Sequence, residues 1–495
     1  MSNRRRENKN LIKAANKKRN RSRKIGIILA DIQLIFTFIF LGLLILLNIL
    51  PFKYLIAIII VLAFFVIYAF LSQLTKNYRT LGKIISVIVS ITLAFGSYYI
   101  IETRSMISDI SGAETKKDEM SMVVLKDDPA ETINQALDYV FGINVSVDRE
   151  KSDEVIDSLN EEFETQISTN TYSGYGELVN ALYSGASQVI IINEASREVI
   201  NELYPNFDEE TRILHNYEVV TAIPTPKAND SDVTKESFNV YISGIDVSGS
   251  ISRTGRSDVN ILGTINPNTN QVLLTTTPRD YFIPFPNTGG QRDKLTHAGI
   301  YGVDVSMGAL EDLYGIEIDY YVRVNFDTLI GLVDALEGIS VYSEYTFNAG
   351  GYSFYEGYND MDGEKALVFS RERSSFGLGD VQRGRNQMEV IKGIINKALT
   401  PTIIVKYSSV MNSIAGSFET NMSDDAITDL IKMQIDEMSP WNIVSNNVMG
   451  KGSMEYTYTQ GQSTRYSVLI PDEESVRQAR QKIYAVENGE ILVQE

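Results

Sequence analysis

Three apolar runs near the start of this chain, Ile32–Leu50, Tyr54–Leu71 and Ile84–Ile101, limit most strongly what it can fold into. Each is close to the roughly 20 residues a helix needs to cross a bilayer. Backbone in lipid must satisfy its own polar groups, so each run is read as a transmembrane helix. Residues 1–24 carry eleven Lys/Arg and one Glu, and the link Ser72–Lys83 adds Lys76, Arg79 and Lys83. The other link, at Pro51, has only Lys53. Basic segments stay on the cytoplasmic side. The N-terminus and the 72–83 link are therefore expected inside the cell, and everything after about residue 102 outside. A signal peptide would show one short run and a small-residue cleavage site; three runs argue against it. The basic tail directly precedes a span, so it is read as setting topology and touching anionic lipid rather than binding nucleic acid.

The charge divides sharply along the chain. The first 101 residues hold fifteen Lys+Arg against two acids, and the rest holds 30 against 61. There is no cysteine, which excludes disulfides, zinc thiolates and cysteine nucleophiles. Two histidines, His215 and His297, make a multi-histidine metal site improbable, so any metal is expected to be hard and oxygen-bound.

Periodicity and turn chemistry organise the outer part. Residues 102–117 are polar and read as a stalk. Residues 118–222 read as an accessory α/β domain, with a strand at Met122–Leu125, helices at Ala130–Val140, Lys151–Glu164 and Gly176–Tyr183, and a buried strand at Gln188–Asn193. Residues 223–237 are a linker, and 238–495 form a second domain. There Asn239–Ile245, Asp258–Ile265 and Gln271–Thr277 read as strands, the last two joined as a hairpin by Asn266–Asn270. Helices at Val305–Tyr314 and Phe326–Leu336 alternate with strands at Glu317–Val324 and Ile339–Ser343, which argues for a layered α-β-α fold around a mostly mixed sheet. Asp362 is expected to cap a helix to Phe369, and Asp380 one running to about Leu399. The closing elements are a strand at Tyr466–Ile470 and a helix at Glu473–Tyr484.

Within that acidic outer part, Arg371, Arg373, Arg383 and Arg385 fall in fifteen residues. Guanidinium presents a fixed fork of donors suited to phosphate oxygens. A two-residue period puts Arg371 and Arg373 on one side of an extended exit, and Arg383 and Gln387 share a face near a helix start. Strand ends add Asp246, Asp258, Arg279 and Asp280. Asp246 and Asp258 beside Arg279, Arg371, Arg373 and Arg383 suit a pyrophosphate with a magnesium ion, and the helix N-terminus adds positive dipole. The bland alternative is that these groups pair with one another as structural salt bridges.

Several ordered motifs carry a resemblance. They are Ile242–Asp246, Arg256-Ser257-Asp258, Thr277-Pro278-Arg279-Asp280, Lys294-Leu295-Thr296-His297-Ala298, Ile318–Tyr321, Asp362–Leu367, Ser370–Arg373 and Asp380–Gln387. Over roughly residues 238–400 the chain resembles the LytR–CpsA–Psr family, and its three spans and extra outer module are similar to the capsule-associated branch. The resemblance implies a membrane-anchored phosphotransferase. It would take a glycopolymer, on the branch likeness a capsular polysaccharide, from its polyprenyl-pyrophosphate carrier and attach it to peptidoglycan through a phosphodiester. Carried over, Arg279, Arg371, Arg373 and Arg383 would hold the pyrophosphate, with Gln387 adding a hydrogen bond and Arg385 the least secure member. Asp258 would hold Mg2+, with Mn2+ as the alternative. Asp246 would help to place the metal or an arginine, or act as base, and His297 is read as a packing or hydrogen-bonding residue. The partners implied are the carrier-linked polymer, peptidoglycan and the membrane, with no nucleic acid. Two rivals remain at this stage. One is a pyrophosphatase that passes the same carrier to water. The other is a membrane-bound transcriptional regulator, which the acidic outer part disfavours because DNA binding rests on phosphate attraction.

Overall fold

The computed structural model describes residues 2–110, 115–222, 232–245, 251, 255–377, 379–400, 406, 409–410, 413 and 418–493. Asp246 lies outside them, as does most of the 223–237 linker.

By contacts the chain divides into two compact units. The first holds three helices, Ser2–Leu47, Phe52–Ser72 and Arg79–Ile110. Arg19–Leu47, Phe52–Ser72 and Arg79–Glu102 are long and apolar enough to cross a membrane. Large apolar side chains such as Phe38, Phe64 and Phe95 stand exposed on them, as lipid-facing groups would. The first helix differs from the expectation at both ends: the basic tail is continuous with it, and it stops at Leu47 rather than Leu50. Asn48 takes a positive φ of 54°, and Pro51, which has no N–H to donate, precedes the second helix. The expected stalk is also different. No Gly or Pro interrupts residues 102–110, so the third helix carries on to Ile110, and a strand begins at Thr115. Asp424–Glu437, an amphipathic helix from late in the chain, belongs to this unit. Its Asp436 pairs with Lys53 at 2.9 Å, and its Lys432 donates to Asn48 at 2.9 Å.

The second unit contains two sheets. One has five strands in the order Ser168–Tyr172, Val140–Asn144, Val189–Asn193, Thr115–Leu125 and Thr211–Ala222. The first three run parallel, and the last two pair antiparallel. Its helices include Arg149–Glu162, Tyr175–Ser184 and Arg197–Leu203. Instead of the helix expected over Ala130–Val140 there is one 3₁₀ turn, Ile133–Ala136, followed by the Val140–Asn144 strand. Phe141 and Ile143 fill the sheet core there, and a Cβ at Gly142 would crowd Leu178 at 2.9 Å, with Tyr172 and Ile190 at 3.1 and 3.2 Å.

The other sheet is six-stranded and mixed, in the order Phe418–Thr420, Tyr320–Val324, Phe238–Ile245, Ser257–Asn266, Gln271–Thr276 and Asn442–Asn447. Ser257–Asn266 and Gln271–Thr276 form the expected hairpin. Leu295–Tyr301, Val303–Tyr314 and Glu473–Glu487 supply Leu295, Leu310 and Ile483 to the main core with Leu262 and Leu273 of the sheet. Met388, from the helix Asp380–Ala398, packs on Ile261 and Leu274. These two sets of contacts come from alternate residues of the same strands, so the sheet is covered on both faces. The apolar stripe on that helix is core: Val390 is buried against Val341 and Phe369. The Tyr466–Ile470 segment lies inside a longer strand, Gly461–Pro471, paired with Gly450–Thr457 in a hairpin that the sequence reading lacked.

Candidate anion-binding active site

One pocket, with about 350 Å³ of empty space open to solvent, collects residues from four places in the chain. Asp258 and Asn260 come from one strand, and Thr276 to Arg279 from the end of its hairpin partner. Asp380, Arg383, Gly384 and Gln387 come from the first turns of the Asp380–Ala398 helix, and Asn447 and Val448 from the edge strand. Asp380 is the first residue of its helix rather than the cap. The cap is Gly379, at φ 46° and ψ −106°, a backbone conformation that glycine alone adopts readily. From that position Asp380 Oδ1 pairs with Arg383 Nη2 at 2.5 Å. Gly384 brings the helix close to the sheet, with Thr276 3.4 Å from where a Cβ would stand.

Arg279 and Asp258 form the second half of the pocket. Arg279 Nη1 donates to Asp258 Oδ2 at 2.9 Å, and Thr296 Oγ1 donates to Asp258 Oδ1 at 3.0 Å. Burial opposes ionisation of Asp258, but Arg279 and then Arg256 outweigh it and hold the carboxyl below its usual range. Burial likewise works against charge on Arg279, and the carboxylates of Asp258 and Asp280 more than reverse it. Arg383 ends on the other side of the balance. Burial, with Arg279 and Arg373 nearby, pulls its pKa below the ordinary arginine value despite Asp380 and Asp258. At this distance from neutrality it stays charged. The Nε of Arg279 and the Nε of Arg383 are both buried without a hydrogen-bond partner. Two buried guanidinium groups with unused donors on one pocket fit an anion with several oxygens.

The other sequence-derived residues spread around this centre. Arg371 is the last residue of the helix Gly363–Arg371, so the extended exit begins only at Glu372. Its guanidinium lies 4.3 Å from the centroid of the Phe326 ring. Arg371 and Arg373 are exposed and do not line the pocket, although the charge of Arg373 reaches Arg383. Arg385 points elsewhere and pairs with Glu344 at 3.3 Å. His297 is fully buried, with Nδ1 2.6 Å from Asp293 Oδ1.

Three contributors escaped the sequence reading. Thr296 stands in the Lys294–Ala298 motif beside His297, and no local pattern sets it apart. Glu372, between the two arginines, accepts from Ser374 Oγ and Ser375 N, both at 2.7 Å, and so shapes the arginine loop. Its Glu-x-Ser-Ser spacing was the available signal. Asn447 comes from a strand about fifty residues beyond the end of the helix, and nothing local marks it.

A hard divalent cation suits this donor set. Asp258 is ionised, the side-chain oxygen of Asn447 is buried without a partner, and Thr276, Thr277 and Gln387 add neutral oxygens around the same pocket. Among the described residues no three acidic or histidine side chains converge. Such an ion would therefore take one or two carboxylates and complete its shell with substrate oxygens and water, as magnesium does.

The LytR_cpsA_psr family model matches residues 213–478. A second model, DNA polymerase processivity factor, matches residues 76–192, a stretch that crosses from a membrane-length helix into the five-stranded sheet and follows no domain boundary. Among curated relatives, the Enterococcus faecalis polyisoprenyl-teichoic acid–peptidoglycan teichoic acid transferase TagU is 35% identical over 225 residues, 45% of this chain and 73% of that protein. The Bacillus subtilis protein of the same name is 32% identical over 213 residues, 42% of this chain and 69% of that protein. The crystal structure of B. subtilis TagU aligns with 52% of this chain and all of that one, at 28% identity and a TM-score of 0.40. With more than half of its length inside the matched family model, and that relative covered over nearly three quarters, this chain belongs to the LytR–CpsA–Psr family.

Proposed function

We propose that the protein transfers a glycopolymer from a polyprenyl-pyrophosphate carrier to peptidoglycan, forming a phosphodiester. The observation that carries this reading is the pair of mostly buried arginines, Arg279 and Arg383, which line one pocket with the carboxylate of Asp258. The relatives' names, which specify a polyisoprenyl-linked donor and peptidoglycan as acceptor, support the same class of reaction.

In that reaction an acceptor sugar hydroxyl attacks the phosphorus bonded to the glycan. A new P–O bond forms to the acceptor, the bond to the bridging oxygen breaks, and polyprenyl phosphate leaves with the electron pair. The hydroxyl proton passes to a carboxylate or to water; Asp246, assigned to this task by resemblance, lies outside the described residues. Arg279 and Arg383 would hold the non-bridging oxygens and stabilise charge building on the departing phosphate. Gln387 is one turn along from Arg383, in reach of the same oxygens. Arg373, whose charge reaches Arg383, and Arg371, assigned by resemblance, would close on the pyrophosphate once it is bound. Mg2+ or Mn2+, held by Asp258, would supply further charge neutralisation. Capsular polysaccharide is the donor we favour, from the three spans and the accessory domain, against the teichoic acid of the named relatives.

The test is a transfer assay with the full chain in detergent micelles, lipid-pyrophosphate-linked glycans of both kinds, peptidoglycan fragments and Mg2+, with the joined product read by mass. The Arg371→Ala/Arg373→Ala double variant should lose transfer about a hundredfold or more at a modest cost in thermal midpoint, because both side chains are exposed and the Arg371–Phe326 contact contributes only about 0.5–1 kcal/mol. Lipid phosphate released with no joined product would mean hydrolysis instead of transfer.

A further inference from the structure

The accessory domain touches the candidate site through a short helix that belongs to both. Leu295–Tyr301 starts with Thr296 bonded to Asp258, and five residues after Leu295 its Ile300 is fully buried in the accessory core with Tyr175, Val199, Ile200 and Phe207. Gly299 lies flat on the segment that enters the Asp258 strand. A Cβ there would come within 2.6 Å of Gly255 O and 2.8 Å of Ser257 N. The accessory core, this helix and the start of the Asp258 strand are thus one packed stack, and packed interiors transmit displacement.

A second link is electrostatic. The accessory helix Arg197–Leu203 presents Glu198 and Glu202 to the same place. Arg256, two residues before Asp258, donates to Glu202 Oε1 at 2.6 Å and also to Glu198. Lys294, two residues before Thr296, has its Nζ 3.8 Å from Glu202 Oε2 and 3.8 Å from Asp280 Oδ1. Both cationic side chains are close to nine-tenths buried, and the charge of Arg256 is felt at Asp258. Arg256 acts on the pocket carboxylate Asp258, Lys294 stands beside Asp280 outside the pocket lining, and the accessory domain supplies two carboxylates that hold both cations.

We infer that Glu198 and Glu202 of the accessory domain are positioning residues for the reaction: they hold Arg256 and Lys294, and so leave Asp258 able to face a divalent cation. The inference rests on the reading of Asp258 as a cation ligand. Without the two glutamates, Arg256 would turn to Asp258, whose carboxyl already feels its charge, and compete with the cation for it, while Lys294 would be left to Asp280 alone.

The test is Mn2+ binding, followed by electron paramagnetic resonance on the full chain in detergent micelles, for the unaltered protein and for Glu198→Gln/Glu202→Gln. Hydrogen–deuterium exchange of residues 255–260 and 294–298 is measured alongside. The double variant should bind Mn2+ about five- to a hundredfold more weakly, the range of an ordinary coupling between two sites, and exchange faster over both stretches. Glu198→Asp/Glu202→Asp, which keeps the charge, should recover most of the affinity. Glu218→Gln, on an accessory carboxylate paired with Lys117, should leave affinity unchanged. Equal Mn2+ affinity and equal exchange in the double variant would reduce these contacts to a domain seam and overturn the inference. Unaltered protein that takes up no Mn2+ would overturn the reading of Asp258 and the inference with it, which separates the two failures.

Discussion

Arg383→Ala should lower transfer by about two to three orders of magnitude while leaving the fold as stable as before. The size follows from removing one preorganised charge from a site where charge builds on a leaving group, typically about 3–4 kcal/mol of transition-state stabilisation. Arg383 is mostly buried at the start of its helix and lines the pocket with Arg279. The loss should fall mainly on kcat, because the departing phosphate carries more charge in the transition state than in the bound carrier. Stability should hold for the opposite reason. Burial and the neighbouring charges of Arg279 and Arg373 already disfavour this guanidinium, so deleting it relieves repulsion while Asp380, about one-third exposed, turns to solvent. The measurement is kcat and KM for the carrier-linked donor, with the thermal midpoint taken on the same preparation. Arg385→Ala is the comparison: its side chain pairs with Glu344 outside the pocket, and it should lose less than about tenfold, as exposed pairs contribute little. A variant at Arg383 that kept transfer within tenfold would remove this residue from the site.

The contrast between Arg383 and Arg385 shows how far the sequence could be read. Both stand in one cluster, and their spacing separates them only once the helix is known to begin at Asp380. Residues 383 and 387 then share a face, and 385 turns roughly 200° away. The spans, the Asn266–Asn270 turn and the helices stopped by Gly315 and Gly338 were legible because bilayer length, turn chemistry and positive-φ glycines are local properties. The Ala130–Val140 segment was not, since its apolar residues suit either period and the five-stranded sheet decides between them. Thr296 and Asn447 were invisible for the same reason at longer range. One is set against Asp258 by the packing of Gly299 on Gly255–Ser257, and the other reaches the pocket through a parallel edge strand that pairs with Gln271–Thr276. A motif can point to the residues around a site, but a non-local pairing chooses which of them face it.

Asp258→Asn should be the most damaging single exchange, because it strikes stability and chemistry together. In the native pocket Arg279 and Asp258 are each more than four-fifths buried and bonded at 2.9 Å. The asparagine can still accept from Thr296, but it leaves a guanidinium in a desolvated place without its charge partner. Breaking a buried pair from one side typically costs about 3–5 kcal/mol; the retained Thr296 contact puts the expected loss near the lower figure. Transfer should fall with it, since Arg279 loses its anchor and the pocket loses the carboxylate proposed to hold the cation. The pH dependence tells the two parts apart. The carboxyl of Asp258 sits below its ordinary range in the folded state. Its stabilising contribution is therefore complete above the usual carboxylate pKa of about 3.9 and drains away as pH falls through the lower folded value. The gap in denaturation midpoint between the two proteins should be full at neutral pH and shrink below about pH 4. A gap that stayed constant down to pH 2.5 would mean that shape, not charge, is what Asp258 contributes. No gap at neutral pH would mean that Arg279 finds another partner, and the pocket would have to be rebuilt around that one.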